Sequence, residues 1–530
     1  MSKPGFYITT AIAYPNNRMH VGFAWEVIGA DMVARFQRMK GRPVFFSTGV
    51  DEHSQNVEKA AKEKGLDAQA YCDLMAADIQ KIMGDMDISY DRFIRTSDPD
   101  HMKVCAHLIE RAYRKGDVYK QAYEGLYCDS CETFYTEKDL SEGNCPTHKL
   151  PVRKVSEENY FFRLSHYQKE IESLLDQGLL EPSFRAQEIK EFVKNGLRDF
   201  SVSRTSFKFG VPIPWDPSHV IYVWYDALIN YVSAVKFLED SSFFKKFWPC
   251  DVHIVGKDIT RFHCVYWPAM LLSTQNDGGE PIALPRKVWA HGFIHFQGEK
   301  MSKTRGNIVT PDDVMKDFGT TALRWYLLSA NQFGGDGNYS DEDLVLKCNA
   351  DLSNNIGNLV NRVVSMALKY FEGQSVVHRG VLPAGVVSVA SRFETTLGGG
   401  AQKLQSSIEA MDLSAYCASV VDFAVAMNKF IDETKPWALA KLPENKDQLE
   451  TVLAELLEGI RNLALVLWPV IPAASEGILN QLGLQMNGEQ TLASGRTIRV
   501  PLWSDVGFQT NNPLKLNAPQ PLFPRLEKKA

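Results

Sequence analysis

The sequence predicts an α/β protein: a parallel-sheet domain of the nucleotide-binding type, interrupted by an insertion and followed by a helical bundle. An apolar strand near the N-terminus leads through a turn into a helix. Four residues of metal-ligand type cluster between positions 128 and 148, and long helical patterns replace strands after residue 340. A chain of 530 residues is too long for one domain. We expect the two halves of the α/β domain at 1–116 and 220–295, with the insertion at 117–219 between them. A connector at 296–340 and the helical bundle at 341–530 should follow.

The N-terminal element combines a buried strand with a helix start. Residues 6–12 are apolar and β-prone, a Pro-Asn-Asn turn follows, and a helical pattern runs from Gly22 to Arg38, directly after His20. A helix N-terminus offers free N–H groups and the positive end of its dipole to phosphates. Glycine lets a ligand approach the backbone closely. The layout therefore predicts a nucleotide site at His20 and Gly22.

A second phosphate candidate is the loop Lys300-Met301-Ser302-Lys303-Thr304, which stands between two glycines. Lysine is a mobile point charge on a flexible stem, so two lysines here can follow phosphate charge as it moves. Taken alone, the pattern fits a solvated surface loop equally well. Its interpretation as a phosphate clamp depends on the histidine–glycine pair at the N-terminus.

The insertion carries a strong metal signal. Cys128 and Cys131 form one C-x-x-C pair, and Cys145 and His148 form a C-x-x-H pair shortly after it. Two such knuckles complete a tetrahedron, which predicts one structural Zn²⁺ with all four positions filled by protein. A redox C-x-x-C would leave the second pair unexplained. The other cysteines are scattered, as expected for reduced thiols.

The second half of the α/β domain supplies further candidate binding residues. The run Val252 to Gly256 is a predicted strand, followed by Asp258 and His263. Ligands of open α/β sheets bind at the carboxyl ends of strands, where these residues fall. An aspartate at that place is also a common helix N-cap, and this alternative stays open for Asp258.

Composition excludes some classes of protein. The formal net charge of −6 gives no global basic field, so contact with nucleic acid must come from local patches. No apolar stretch approaches the ~18–20 residues of a membrane span. A strand starts almost at once, which leaves no room for a signal or transit peptide. We therefore expect a cytoplasmic protein without membrane contact.

The C-terminal region has helical patterns over 344–371, 386–411, 414–431 and 449–467, as in a bundle. Trp437 follows a proline at a helix start, where it fits either a stacking platform for an unstacked RNA base or a buried bundle position. The polar tail after residue 482 has apolar islands and is expected to pack back on the bundle.

Two of these motifs together resemble the signatures of class I aminoacyl-tRNA synthetases, written H-I-G-H and K-M-S-K-S. Here they stand as His20-Val21-Gly22-Phe23 and Lys300-Met301-Ser302-Lys303-Thr304. Phe23 replaces the second histidine, which shifts more of the phosphate grip to His20 and Lys303. The insertion is too short for the editing domain of the leucyl, isoleucyl and valyl branches. With its zinc knuckles, it is similar to that of the methionyl-tRNA synthetases.

The resemblance implies specific site residues. Catalytic roles fall to His20, Lys300 and Lys303. The ATP site comprises His20, Gly22, Gly256, Asp258, Lys300, Met301, Ser302 and Lys303. The methionine site comprises Ile12, Tyr14, Asp51, Trp224, Leu228, Tyr231, Ile259 and His263. The anticodon surface comprises Asn355, Arg362 and Trp437. A thioether packs well on aromatic faces, and a carboxylate pairs with the α-ammonium, which suits this set to methionine.

The expected activity is ATP-dependent ligation of L-methionine to tRNA(Met), initiator tRNA included, through methionyl-adenylate, with Mg²⁺ accompanying ATP. Relatives that carry an extra tRNA-binding domain dimerise through it, and this chain ends before such a segment, so we expect a monomer. Two alternatives remain: a class I synthetase for another hydrophobic amino acid, and a non-catalytic tRNA-binding paralogue, which Phe23 alone favours.

Overall fold

The computed structural model describes residues 4–16, 18–128, 133–135, 137–146, 149–205, 207–301, 307–372, 375–509 and 514–527. The chain divides into two compact units. Unit 1 comprises Met1–Met19, Val44–Gly84 and Tyr90–Ala290. Unit 2 comprises His20–Pro43, Asp85–Ser89 and His291–Ala530. In the described part of the chain, no helix has both the length and the hydrophobicity that crossing a bilayer requires.

Eighteen strands are present in the described residues. They are β1 (Phe6–Ala13), β2 (Val44–Val50), β3 (Arg92–Arg95), β4 (Val118–Cys128), β5 (Thr133–Tyr135), β6 (Arg153–Phe162), β7 (Leu180–Glu181), β8 (Phe200–Ser201), β9 (Ser203–Arg204), β10 (Pro212–Ile213), β11 (Asp216–Ile221), β12 (Val252–Gly256), β13 (Val288–His291), β14 (Ile294–Phe296), β15 (Glu299–Lys300), β16 (Gly337–Tyr339), β17 (Gly488–Thr491) and β18 (Thr497–Val500).

The α-helices of the same described residues are α1 (Val21–Met39), α2 (Gln55–Glu63), α3 (Ala68–Asp85), α4 (Pro99–Lys115), α5 (Gln168–Asp176), α6 (Ser183–Lys194), α7 (Val223–Ser233), α8 (Ser241–Phe247), α9 (Trp267–Ser273), α10 (Pro311–Phe318), α11 (Thr320–Ser329), α12 (Asp341–Cys348), α13 (Asn358–Phe371), α14 (Val389–Leu397), α15 (Gln402–Glu409), α16 (Leu413–Thr434), α17 (Pro436–Leu439), α18 (Lys446–Leu467) and α19 (Pro472–Gln481).

Unit 1 is built on a six-stranded sheet in the order β3-β2-β1-β12-β13-β7. The β1–β2, β2–β3, β1–β12 and β13–β7 pairs are all parallel. β2 is buried along its whole length, and β1 is buried over its first five residues. Central parallel strands are covered on both faces, which is why these runs are apolar rather than alternating. The predicted parallel-sheet α/β class is confirmed.

The insertion in unit 1 forms a four-stranded sheet in the order β5-β4-β6-β8. Its long β4–β6 pair is antiparallel from Val118, opposite Phe162, to Tyr127, opposite Arg153. β4 and β5 are also antiparallel, with Cys128 opposite Thr133. Cys128, the first cysteine of the C-x-x-C pair, is the last residue of β4.

Unit 2 contains the predicted helical region, with two differences from prediction. The helix predicted over 344–371 starts at Asp341 and passes through wider, π-type turns over Asn349–Gly357 before α13. The helix predicted over 386–411 is two helices, α14 and α15, separated at a run of three glycines. Gly398 and Gly400 have φ of 77° and 60°, which ends an α-helix and suits glycine.

A buried arginine holds unit 2 together. Arg324 of α11 donates to Asp31 of α1 at 2.7 Å and to the carbonyls of Val470, at 2.8 Å, and Met86, at 3.1 Å. Burial alone would raise the pKa of Asp31, but Arg35 and Arg324 hold that pKa well below its ordinary value. A buried charge is tolerated when partners satisfy it in this way.

The tail packs on the bundle, as predicted. Asn349 Nδ2 donates to the carbonyl of Leu526 at 2.9 Å, and Leu526 N donates to Asn349 Oδ1 at 2.8 Å. Ser353 also donates to the carbonyl of Pro524 at 3.3 Å. These bonds anchor a segment that has no regular secondary structure of its own.

Candidate active site

In unit 1, the chain crosses from one half of the sheet to the other between β1 and β12. β2 and β3 lie on one side of this pair, and β13 and β7 on the other. Such a switch point opens a crevice at the carboxyl ends of the strands, where open α/β sheets bind ligands. Tyr14 follows β1, Asp51 follows β2, and Gly256 ends β12. The topology thus brings three predicted site residues to one edge of the sheet.

Asp51 is 3% exposed at this edge. Its N–H donates to the carbonyl of Ala13 at 2.9 Å, which joins the segment after β2 to the end of β1. The next residue, Glu52, binds Arg95 Nε through Oε1 at 2.6 Å. The backbone that carries Asp51 is therefore held from two sides.

Helix α7 presents an aromatic and aliphatic wall. Trp224 is half-buried and stacks on Phe262, with ring centroids 3.6 Å apart and planes within 4°. Leu228 and Tyr231 are buried on the same helix. Ile12 and Ile259 are half-buried and pack against the same hydrophobic core. The structure brings these predicted methionine-site residues into one cluster, and Phe262 is a neighbour that the sequence argument did not single out.

Tyr231 and His263 form a buried pair. Tyr231 Oη lies 2.6 Å from His263 Nε2, and His263 Nδ1 lies 3.0 Å from the carbonyl of Ile259. A carbonyl only accepts, so Nδ1 carries the hydrogen and Nε2 accepts from the tyrosine hydroxyl. Burial lowers the pKa of His263 to about 4. The pair is therefore a neutral, polar feature in an apolar wall.

The end of β12 resolves the alternative for Asp258. Gly256, not Asp258, is the N-cap of the short turn Lys257–Ile259, and that cap has no side-chain hydrogen bond. Asp258 is exposed inside the turn. Its carboxylate is thus directed by the turn to the surface at the strand end, which is compatible with a ligand role and not with the capping role.

In unit 2, His20 caps helix α1. Its exposed ring accepts a hydrogen bond through Nδ1 from Phe23 N at 3.2 Å, and the N–H of Val21 donates to the carbonyl of Val309 at 3.0 Å. A Cβ at Gly22 would lie 3.0 Å from the His20 ring. Glycine at position 22 therefore lets the imidazole fold back over the helix N-terminus.

The motif that starts at Lys300 begins in a hairpin of unit 2. β14 and β15 pair antiparallel, with His295 opposite Lys300, and Gln297 and Gly298 form the turn with φ of 51° and 82°. Met301 follows and is half-buried. Ser302 and Lys303 lie outside the described residues, as does the side chain of Lys300.

A buried carboxylate–imidazole hydrogen bond lies just before this hairpin in the chain. Glu26 Oε2 of α1 lies 2.7 Å from His291 Nε2, at the end of β13. A Cβ at the next residue, Gly292, would meet the carbonyl oxygen of Gly335 at 1.9 Å, so only glycine fits there. These contacts fix the start of the hairpin relative to α1 within unit 2.

The predicted zinc ligands are described only in part. Cys128 ends β4 and is 1% exposed, and Cys145 is fully buried within hydrogen-bond reach of Tyr135 Oη, at 3.8 Å. Both are cysteines outside any disulfide. Cys131 and His148 lie outside the described residues. Two buried thiols fit the thiolate donors of a structural zinc.

The predicted anticodon residues lie in the bundle of unit 2. Arg362 Nη2 is 3.8 Å from Asp432 Oδ1, which links α13 to α16. Asn355 donates through Nδ2 to the carbonyl of Ala350 at 3.0 Å. Trp437 is 41% exposed at the start of α17, so the buried-bundle alternative is wrong for this residue.

Four polar residues of unit 1 were not predicted. Asp226 of α7, His101 and Cys105 of α4, and His53 lie buried in one hydrogen-bonded cluster. His53 stands two residues after Asp51, and Asp226 stands two residues after Trp224, but His53 and Asp226 are 173 residues apart in the sequence. The only sequence signal for these two residues is that each stands close to a predicted site residue.

Comparison with known proteins supports the interpretation of these motifs. The family model described as tRNA synthetases class I (M) matches residues 6–154 and 147–364. The methionine--tRNA ligase of Caldanaerobacter subterraneus subsp. tengcongensis is 41% identical over 489 residues, which span 91% of this chain and 74% of that protein. That of Thermotoga maritima is 41% identical over 490 residues, with 91% and 75% covered.

Solved structures agree over the whole chain. A Mycobacterium tuberculosis methionyl-tRNA synthetase in complex with methionyl-adenylate superposes with a TM-score of 0.90 at 37% identity, covering 98% of this chain and 100% of that one. The apo form of that organism's enzyme gives 0.84 at 34% identity, with coverage of 100% and 99%. On the family-model match, these identities and the shared parallel-sheet and helical architecture, the chain belongs to the methionyl-tRNA synthetase family of class I tRNA synthetases.

Proposed function

We propose that this protein ligates L-methionine to tRNA(Met), initiator tRNA included, by way of methionyl-adenylate. The observation that supports the proposal is the aromatic cluster on helix α7 of unit 1, where Trp224 stacks on Phe262 and Tyr231 donates to His263, together with buried Asp51 directly after β2. Family membership supports the type of reaction, since the solved relative with TM-score 0.90 is a complex with methionyl-adenylate.

The methionine site combines one anion with an apolar, aromatic wall. Asp51 is the proposed partner of the α-ammonium, because a charge-assisted hydrogen bond to a buried carboxylate is strong. Trp224 and Tyr231 offer ring faces to the thioether, with Ile12, Tyr14, Leu228 and Ile259 completing the set. Both nitrogens of His263 are engaged within the protein. The imidazole therefore acts by fixing the position of the Tyr231 ring, whose face packs on the thioether.

The ATP site is assigned to His20, Gly22, Gly256, Asp258, Lys300, Met301, Ser302 and Lys303. The N-terminus of α1 offers N–H groups and a positive dipole end to the phosphates. The methionine carboxylate attacks the α-phosphate and pyrophosphate leaves. A tRNA ribose hydroxyl then attacks the carbonyl carbon of the adenylate, and AMP leaves as the ester forms. Catalysis consists of positioning and charge stabilisation, which we assign to His20, Lys300 and Lys303. Mg²⁺ bound with ATP supplies further neutralisation of the polyphosphate.

The remaining parts are assigned to tRNA binding and structure. Asn355, Arg362 and exposed Trp437 form the proposed anticodon surface of the bundle, with 296–340 as the connector before it. Cys128, Cys131, Cys145 and His148 are the proposed ligands of one structural Zn²⁺ in the insertion. We propose a monomer that works in the cytoplasm, where the buried cysteines of the described residues stay reduced.

One assay tests the activity. ATP–pyrophosphate exchange is measured with methionine and, separately, with leucine, isoleucine, valine and cysteine. Exchange that depends on methionine alone supports the proposal, and charging of tRNA(Met) transcripts completes it. Exchange with another hydrophobic amino acid would favour a different synthetase. Absence of exchange with every amino acid, in a folded protein that still binds tRNA, would favour the non-catalytic paralogue.

A further inference from the structure

A buried carboxylate lies on the inner side of helix α7. Asp226 Oδ2 is 2.7 Å from His53 Nδ1, and Asp226 Oδ1 is 2.9 Å from His101 Nε2. The side chains of all three are at most 3% exposed. A carboxylate only accepts hydrogen bonds, so each facing imidazole nitrogen carries a hydrogen. Both oxygens of the anion are thus satisfied, which is the condition for burying it.

Two further groups close the cluster. Cys105 Sγ lies 3.0 Å from Asp226 Oδ1 and 3.1 Å from His101 Nε2. His101 Nδ1 lies 3.0 Å from Ser233 Oγ, at the other end of α7. Burial raises the pKa of the Cys105 thiol well above its ordinary value, and the charges of Asp226 and Asp51 raise it further. The sulfur therefore stays an S–H donor to the carboxylate.

The cluster joins the parts of unit 1 that carry the methionine site. His53 belongs to the same short segment as Asp51, the proposed partner of the α-ammonium. Asp226 belongs to α7, which carries Trp224, Leu228 and Tyr231. The two hydrogen bonds of Asp226 therefore set the position of the ammonium partner relative to the side-chain wall. A binding constellation must be held within about 0.5 Å by such supporting contacts.

We propose that Asp226, His53 and His101 are positioning residues for methionine, acting through Asp51 and helix α7. This inference rests on the proposed function, because it concerns the same substrate. The contact chain is continuous: Asp226 holds His53, which fixes the segment of Asp51, while His101 holds α7 through Asp226 and Ser233.

Three members of the cluster, His101, Cys105 and Asp226, have donor types that suit a metal. The ligand atoms of His101, Cys105 and Asp226 lie within 4.8 Å of one another. Tetrahedral zinc with bonds of 2.0–2.3 Å would separate its ligand atoms by about 3.3–3.7 Å. The separations here are 2.9, 3.0 and 3.1 Å, which are hydrogen-bond distances. The geometry therefore favours a metal-free network, and bound metal is an outcome that the experiment must detect.

The test uses methionine-dependent ATP–pyrophosphate exchange by the full-length protein. Asp226→Asn should raise KM for methionine about tenfold, with KM for ATP unchanged within about twofold, since tenfold is about 1.4 kcal/mol and a hydrogen bond to a charged group is worth about that much. His53→Leu should do the same, whereas His53→Asn, whose amide N–H can replace Nδ1–H, should stay close to wild type. Rescue by the conservative variant is not expected of a merely structural role.

The matched control is Asp277→Asn. Arg111 of α4, the helix that carries His101, binds Asp277 Oδ2 at 2.5 Å, and Asp277 is 3% exposed in its side chain. Its loss should lower Tm without changing KM for methionine. If Asp226→Asn and His53→Leu also lower Tm and leave KM unchanged, the positioning role is refuted.

Two further measurements distinguish failure of the positioning role from bound metal and from failure of the proposed function. Metal content is measured for wild type and Cys105→Ala, and loss of one equivalent in the variant would overturn the metal-free network. Wild-type exchange with methionine establishes the activity first, so its absence refutes the proposed function, whereas unchanged KM in the variants refutes only the positioning role. If Asp226→Asn does not fold, the comparison of His53→Leu with His53→Asn tests the positioning role.

Discussion

Tyr231 donates its hydroxyl hydrogen to His263 Nε2 across 2.6 Å in the interior of unit 1. The imidazole is fixed from its other side by the carbonyl of Ile259, 3.0 Å from Nδ1. The tyrosine is fixed as well, because Tyr7 Oη donates to its carbonyl at 2.8 Å. The pair is consequently a rigid polar feature whose protonation state matters for stability.

We expect His263 to make stability depend on pH between 6.5 and about 4. Burial lowers the pKa of His263 from 6.5 to about 4, so the unfolded chain binds a proton in this window that the folded chain does not. The stabilisation is complete above pH 6.5 and is lost as pH falls. Between pH 7 and 5 the free energy of unfolding should fall by about 2 kcal/mol from this group, as measured by denaturant titration.

His263→Gln should reduce this pH dependence. The matched control is His166→Gln, whose side chain is 59% exposed in the wild-type protein. An equal pH dependence in His263→Gln and wild type would contradict the prediction.

The Trp224–Phe262 stack is expected to form part of the methionine site. Trp224→Ala removes a parallel ring contact at 3.6 Å and a face for the thioether, so KM for methionine should rise about tenfold in the exchange assay. Trp215→Ala is the control, because it removes a comparable stack on Tyr113, at 4.0 Å, in the same unit. Equal KM values for the two variants would argue against a binding role for Trp224.

Lys303 is expected to stabilise the polyphosphate in the transition state. Lys303→Ala should slow adenylate formation by about 10²–10³-fold, as removal of one stabilising donor does elsewhere. Methionine binding, measured by calorimetry, should remain unchanged. Lys316→Ala, which removes a lysine from α10, provides the control. Near-normal pyrophosphate exchange in Lys303→Ala would refute the assignment.

We expect zinc to stabilise the fold of the insertion and to take no part in the reaction. Cys128→Ala should lose one equivalent of Zn²⁺ and make the insertion more sensitive to limited proteolysis, because binding of a structural metal contributes directly to the stability of the fold that holds it. Adenylate formation should fall much less. Cys72→Ala removes another buried thiol, on α3, and should retain the metal. A Cys128→Ala protein with full zinc content would show that the knuckle is absent.

Trp437 is expected to contact an unstacked RNA base. Stacking is worth about 1–3 kcal/mol per base, so Trp437→Ala should lower kcat/KM for tRNA about 5- to 150-fold. Methionine-dependent exchange should not change. Leu346→Ala removes another exposed apolar side chain, 63% accessible, from the same unit. If both variants charge tRNA as well as wild type, the stacking role is wrong.

Local patterns explain which predictions succeeded. The short, β-prone apolar run at residues 6–12 predicts a buried strand, and the structure has β1 there. The prediction of one helix over 386–411 is wrong at the glycine run 398–400, because helical periodicity continues on both sides of it. Backbone conformation, rather than periodicity, ends the helix there.

The sequence by itself determined the fold class, the strand–turn–helix start and the motif residues, because these depend on residue type at short spacing. The proposed methionine-site residues came from the family resemblance, and they remain a prediction. Only the tertiary structure decided that Asp226 meets His53 and His101, that Trp224 stacks on Phe262, and that Trp437 stays exposed. Burial and hydrogen-bond satisfaction select such partners among residues far apart in the chain, and no local pattern encodes that choice.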